Sequence, residues 1–236
     1  MTAASMRLDP SQRQAFRELA AHTEGIDLPV YQAFEKDPLE PIIGLGPADA
    51  PIAFFGRDPA REEVRYGEPF IGSGGQLVRR ALYRHLHGED LPDFEAGRAV
   101  GEGFFWINTV PYKPVGNRAW SMAIKRRYHP LMRQLLIENW QGRDIVTLGR
   151  EAFLWFGIDG SRDDRRRLEA FWQRDDRFST YCDIELATES GGSRQFRLHP
   201  LPHPSPRNMI WFKRFAALLD SRLQQLLGGH LHTSAP

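Results

Sequence analysis

Short apolar runs separated by stretches of helical periodicity organise the chain. Ile52-Ala53-Phe54-Phe55 is too short for a helix and is bounded by Pro51 and Gly56, which predicts a buried strand. Residues 104–110 are aromatic and β-branched and predict a second strand, and residues 144–148 a third. Helical spacing occupies the intervals. Residues 11–22 follow the start signal Asp9-Pro10-Ser11, and residues 76–87 end at Gly88. Residues 119–140 form a long amphipathic pattern with Leu131, Leu135 and Leu136 on its inner face. Gly149 opens a helix to Phe156, residues 160–177 form a charged helical piece, and a helix over 208–227 closes the pattern. Residues 90–103 read as loop, and 31–51, with Pro38, Pro41, Pro47 and Pro51, as an irregular wrapped segment. Residues 178–187 and 195–201 predict a hairpin around Glu189-Ser190-Gly191-Gly192-Ser193.

Strands alternating with helices predict parallel βαβ units. The expected fold is a three-layer α/β/α sandwich around a central four-stranded parallel sheet, with a small appended hairpin. A length of 236 residues suits one domain over 1–236, with an N-terminal helix and wrapped segment over 1–43 and a tail over 228–236. Hydrophobic residues at 41% and charged residues at 26% fit one buried core. The 31 basic and 30 acidic side chains leave a net charge of +1, which neither suggests nor excludes a nucleic-acid partner. The single cysteine, Cys182, excludes an internal disulfide and an all-cysteine metal or iron–sulfur site within one chain, and reads as a small core residue. No window has the length of a membrane span and the first residues hold no signal-peptide core, so a cytoplasmic location away from membranes is expected.

Open α/β sheets bind ligands beyond the carboxyl ends of their strands. Three polar sets follow predicted strands: Gly56-Arg57-Asp58-Pro59, Asn108, and His203. Phe70, in Gly67-Glu68-Pro69-Phe70, offers a flat apolar wall beside them. An amide donates and accepts, which suits a nucleobase edge, and an aromatic face suits stacking on the base. A carboxylate beside a forming cation and an imidazole beside a forming anion suit heterolysis of a sugar–base bond. Each residue also has a structural alternative: a turn or N-cap aspartate, a strand-end cap, a satisfied core histidine, a core phenylalanine.

These motifs resemble the uracil-DNA glycosylase superfamily, with a layout closest to its family 4 branch. Gly44-Leu45-Gly46-Pro47-Ala48-Asp49-Ala50 precedes strand one as in that branch. Gly56-Arg57-Asp58-Pro59 then stands as motif A, and Gly67-Glu68-Pro69-Phe70-Ile71-Gly72-Ser73-Gly74-Gly75 as the following Gly-x-Pro-Phe-x-Gly-x-x-Gly. Asn108 with Pro114-Val115-Gly116-Asn117-Arg118, the segment Ile145 to Arg150, and His203-Pro204-Ser205 complete five ordered motifs over residues 44–226. The resemblance implies a monofunctional glycosylase that flips uracil out of DNA and hydrolyses its N-glycosidic bond, leaving an abasic site. It implies Asp58 and His203 as catalytic residues, the first orienting water or stabilising the sugar cation, the second donating to the base oxygen O2. Gly56, Pro59, Ala60, Phe70 and Asn108 would hold the base, with Asn108 on N3–H and O4. Arg57 stands with them at the substrate but takes no family role, its residue type being different, and is open to holding a phosphate or pairing with Asp58 or Glu62. Asn117, Arg118, Ser205, Pro206, Arg207 and Asn208 would contact DNA, Arg207 filling the gap in the stack. The expected partner is DNA carrying uracil or another damaged base; a monomer without cofactor is expected.

Departures from the family pattern matter as well. Family 4 members hold an iron–sulfur cluster on four cysteines, one just before the Pro-x-Gly-Asn-Arg stretch, where this chain has Lys113. Arg57 replaces a family 4 glutamate, Asp58 stands as the aspartate of family 1 does, and Ala60 takes the place of a tyrosine that excludes thymine. Glu62 and Glu63 are alternative acids. Lys125-Arg126-Arg127-Tyr128-His129 recurs in a branch trapped covalently on abasic DNA through its histidine, but the Arg118–Pro130 interval leaves no inserted loop, so the run is expected on an amphipathic helix. Action on hypoxanthine or xanthine, and non-catalytic binding of DNA or abasic sites, are the alternatives.

Overall fold

The computed structural model describes residues 8–44, 46–187, 191–205 and 209–228. Its sheet has the order β2-β1-β3-β5-β4, with β1 Ile52–Gly56, β2 Phe105–Asn108, β3 Asp144–Leu148, β4 Cys182–Ala187 and β5 Ser193–Leu201. β2, β1, β3 and β5 run parallel, the four parallel strands expected from sequence. The hairpin is not an appendage: β5 is the fourth parallel strand, and β4 adds a fifth, antiparallel to it, at the edge of the same sheet. The alternating exposed–buried pattern of β4 suits an edge strand with one solvated face.

Side chains of the inner strands alternate between two apolar layers, as a period of two dictates. Ala53, Phe55, Phe105, Ile107 and Ile145 pack with α1 (Pro10–Ala21), α6 (Met122–Gln134), α7 (Arg150–Leu154) and α8 (Arg162–Trp172) through Phe16, Tyr128, Phe153 and Leu168. Ile52, Phe54, Trp106, Val146 and Leu201 pack with α4 (Ser73–His87) and α9 (Met209–Leu227) through Val78, Leu82, Phe215 and Leu219. α6 contains Pro130 and gives way to one π-helical turn at Leu135–Asn139, so the long helix read from 119–140 is real but interrupted. Asp9 caps α1 by accepting from the Gln12 amide at 2.8 Å.

Two segments read as irregular are partly helical. α2 (Leu28–Ala33) overlaps the start of the wrapped segment, and α5 (Phe94–Gly101) lies within the stretch read as loop. α5 carries Gly97 and Gly101 in eight residues, a composition that opposes helix formation locally. Packing on α4 overrides it, and the two glycines lie where α4 side chains come closest.

Register aligns the strand ends. Gly56 pairs with Asn108, Phe55 with Thr147, and Leu148 with Leu201. The residues that follow each strand therefore emerge at one edge.

Candidate active site

At that edge lies a cleft of about 580 Å³, within the range of small-molecule sites. Gly56, Arg57, Asp58, Ala60, Phe70, Asn108, Asn117, His203 and Ser205 line it, together with Glu63, Leu148, Pro204 and the first turn of α4. Nine of the residues expected at the site from sequence thus converge. Pro59 is buried but does not line the cleft, and Arg118 is exposed outside it. Pro206, Arg207 and Asn208 lie outside the described residues.

Backbone geometry explains the glycines. A Cβ on Gly56 would stand 2.4 Å from Phe70 Cζ and 2.6 Å from Asn108 Oδ1, so only glycine lets ring and amide close over β1. Phe70 has φ +55°, a left-handed conformation that costs a phenylalanine about 1–2 kcal/mol, and the ring is held in that place against Trp106 at 5.3 Å. Gly149, at φ +98°, caps the start of α7, and a Cβ there would sit 3.1 Å from His203 Cβ.

Asn108 is 4% exposed, lines the cleft, and bonds through its amide to no other described residue. A buried amide without a protein partner is uncommon, because leaving its hydrogen bonds unmade costs about 1–3 kcal/mol.

The charged wall is a chain of alternating signs. Arg57 Nε donates to Asp58 Oδ2 at 2.9 Å, and Arg57 Nη2 donates to the Asn117 carbonyl at 3.2 Å. Arg57 Nη1 lies 3.9 Å from Glu151 Oε1, and Glu151 Oε2 accepts from Lys125 Nζ at 2.5 Å. Asp58, its side chain 2% exposed, is pushed up to about 6 by burial, against the pull of Arg57 and Lys125 and of a hydrogen bond from Thr109. Thr109 Oγ1 donates to the Arg57 carbonyl at 2.5 Å and stands 3.3 Å from Asp58 Oδ1. Oδ1 therefore keeps capacity to accept from a water. His203 is exposed on the cleft; the enclosing cleft walls first and the Arg57 charge second lower its pKa, which favours the neutral imidazole at pH 7.

Sequence reasoning missed Thr109, Glu151 and the inward turn of Lys125. Thr109 follows Asn108 directly and Glu151 stands two residues past a strand-ending glycine, which were the available signals. Glu63 does not serve as an alternative acid in this arrangement: its oxygens accept from the Ala60 amide at 3.0 Å and the Gly72 amide at 2.9 Å, tying motif A to the glycine-rich turn. Glu62 faces Arg65 at 3.6 Å on the surface. Lys125–His129 lies on α6 as expected; His129 is 1% exposed, 4.3 Å from the Trp155 ring, and outside the cleft lining.

The residues present do not fit a four-thiolate cluster. Lys113 is buried, donates to Asp27 Oδ2 at 2.5 Å and to the Pro114 carbonyl at 3.0 Å, and thereby joins the N-terminal segment to the Asn117 loop. Cys182 begins β4. Among the described residues no group of three or more His, Cys, Asp or Glu side chains could hold a metal, and no helix is long and apolar enough to cross a membrane.

Comparison with known proteins adds the family. One curated relative, the type-4 uracil-DNA glycosylase of Thermotoga maritima, is 29% identical over 123 residues, which cover 51% of this chain and 56% of that protein. The sequence matches the uracil DNA glycosylase superfamily over residues 43–227, and the chain belongs to that superfamily.

Proposed function

We propose that this protein is a monofunctional uracil-DNA glycosylase. The observation that carries the proposal is Asn108: a buried amide without a described protein partner, beside the Phe70 ring, in a cleft that also holds a carboxylate and a neutral imidazole. A flipped uracil stacks on Phe70 and pairs N3–H and O4 with the Asn108 amide; cytosine, a donor at N4, mismatches it. As the bond between sugar and base breaks, negative charge grows on O2, where the neutral His203 ring donates a hydrogen bond. Asp58, ionised above pH about 6, faces the sugar cation and accepts from the attacking water through Oδ1. The bond from C1′ to the base breaks, water oxygen bonds C1′, and the products are free uracil and an abasic site. Membership of the superfamily and the type-4 relative support this assignment.

Arg57 steadies Asp58, and Asn117 and Ser205 at the rim contact the DNA backbone. Ala60, exposed at the lip, leaves room for 5-substituted uracils. The reaction uses no cofactor.

An oligonucleotide carrying one uracil, incubated with the protein and then with alkali, is cut at that position if the proposal holds. An uncut uracil strand contradicts it: cutting only at hypoxanthine or xanthine assigns deaminated purines, and retention of the strand without alkali-labile cutting assigns a binding protein.

A further inference from the structure

Arg79 is a cation in the apolar layer beneath the cleft. It projects from α4, is 3% exposed, and among the described residues forms no ion pair. Its planar fork is spent on carbonyls: Nε donates to Phe70 at 3.0 Å, Nη2 to Pro69 at 3.2 Å, and Nη1 to Gly97 at 2.9 Å. A core position filled only for packing takes an apolar side chain, because a buried charge is costly unless every donor is matched. Here the donors match the two carbonyls of the turn that holds Phe70 in its left-handed conformation, which neither α4 nor the sheet otherwise satisfies.

Surrounding residues are shaped to admit that fork. A Cβ on Gly101 would stand 1.9 Å from Arg79 Nη1, and one on Gly75 would stand 1.8 Å from the Phe70 carbonyl oxygen. The guanidinium also lies over the Trp106 ring at 4.9 Å, and Trp106 supports the Phe70 ring at 5.3 Å. Arg79 thus grips Phe70 twice, at its carbonyl and through Trp106. α5 supplies the Gly97 carbonyl and the opening at Gly101.

We propose that Arg79 is a positioning residue for base recognition, holding the Phe70 ring over Gly56 at the angle that stacks an extruded base. The proposal rests on the assignment of Phe70 as the stacking wall of a uracil-DNA glycosylase.

Coupling between the two residues separates positioning from general stability. Single-turnover excision of uracil is measured for wild type, F70A, R79K, and F70A/R79K, at a temperature where each is folded by near-UV circular dichroism. R79K alone is expected to lower the rate at saturating protein about tenfold, the scale of a small misplacement at a reacting group. In the F70A background the same substitution is expected to change it less than about twofold, as nothing remains to position. Equal losses in both backgrounds overturn the role of Arg79 while leaving the glycosylase assignment intact. G101A, which keeps Arg79 and displaces only its fork, repeats the test in both backgrounds if R79K does not fold. A wild type that excises no uracil overturns the glycosylase assignment and this proposal together, and an F70A protein as fast as wild type overturns the proposal through Phe70.

Discussion

Two clusters in this molecule are built from the same three residue types and behave oppositely. His203, Asp58 and Arg57 stand at the carboxyl edge of the sheet, while His199 of β5 and Asp144 at the start of β3 meet Arg222 of α9. His199 Nε2 faces Asp144 Oδ1 at 2.8 Å, and Nδ1 accepts from Arg222 Nη1 at 3.1 Å, so both ring nitrogens are occupied at 3% exposure. Arg222 Nη2 donates to the Phe178 and Thr180 carbonyls and Nη1 also to Gln225 Oε1, while its Nε, buried and closed off from any cleft, has no partner among the described residues. In the cleft, by contrast, Asp58 is bonded to Arg57 and Thr109, and no described residue bonds the His203 ring. Residue type therefore does not mark the site. What marks it is hydrogen-bonding capacity left unused and aimed into open space.

The largest effect that sharpens this contrast comes from Asp58→Asn. Loss of the charge facing the sugar lowers single-turnover excision about 10²–10³-fold, while thermal unfolding changes little or shifts upward, since burial already disfavours the charge. A rate within a few-fold of wild type breaks the contrast. Asn108→Asp follows: replacing the amide donor by a carboxylate costs about 10–100-fold on uracil, read as excision of uracil under identical conditions. At the other cluster, His199→Ala leaves Asp144 and Arg222 buried without their shared partner and lowers Tm by about 4–10 °C, measured by calorimetry.

The smallest effect is a shift in pH dependence. On the proposed mechanism Asp58 acts in its ionised form, so excision falls as pH drops through about 6. The charges facing Asp58 are Arg57, Lys125 and Glu151. Arg57 favours the carboxylate, so Arg57→Gln raises the Asp58 pKa and moves the acid limb to higher pH. A limb that stays in place or moves down shows that Arg57 does not act on Asp58.

Much of this was legible in the chain. Apolar runs located β1 and β3, aromatic and β-branched residues located β2, and ordered motifs picked out Asp58, Asn108 and His203, which the sheet register brings to one cleft, and Phe70, which the turn before α4 adds to it. Two kinds of information were not. Placing β4 in the main sheet depends on β5 pairing with β3, a contact distant in sequence that no local pattern encodes. α5 was hidden because its glycines oppose a helix; Gly101 is there for the close approach of Arg79, and Gly97 for that of Leu91 and Gln76. Likewise Glu151 and Lys125 look like ordinary surface charges until the ends of β1 and β3 are level.

One paired measurement tests the central claim most directly: single-turnover excision of uracil from a defined oligonucleotide by His203→Ala and His199→Ala, below both unfolding midpoints. On the proposed function the open cluster carries the chemistry, so His203→Ala should be slower by about 10²–10³-fold and His199→Ala close to wild type. Loss of excision in His199→Ala with a normal rate in His203→Ala would contradict the account.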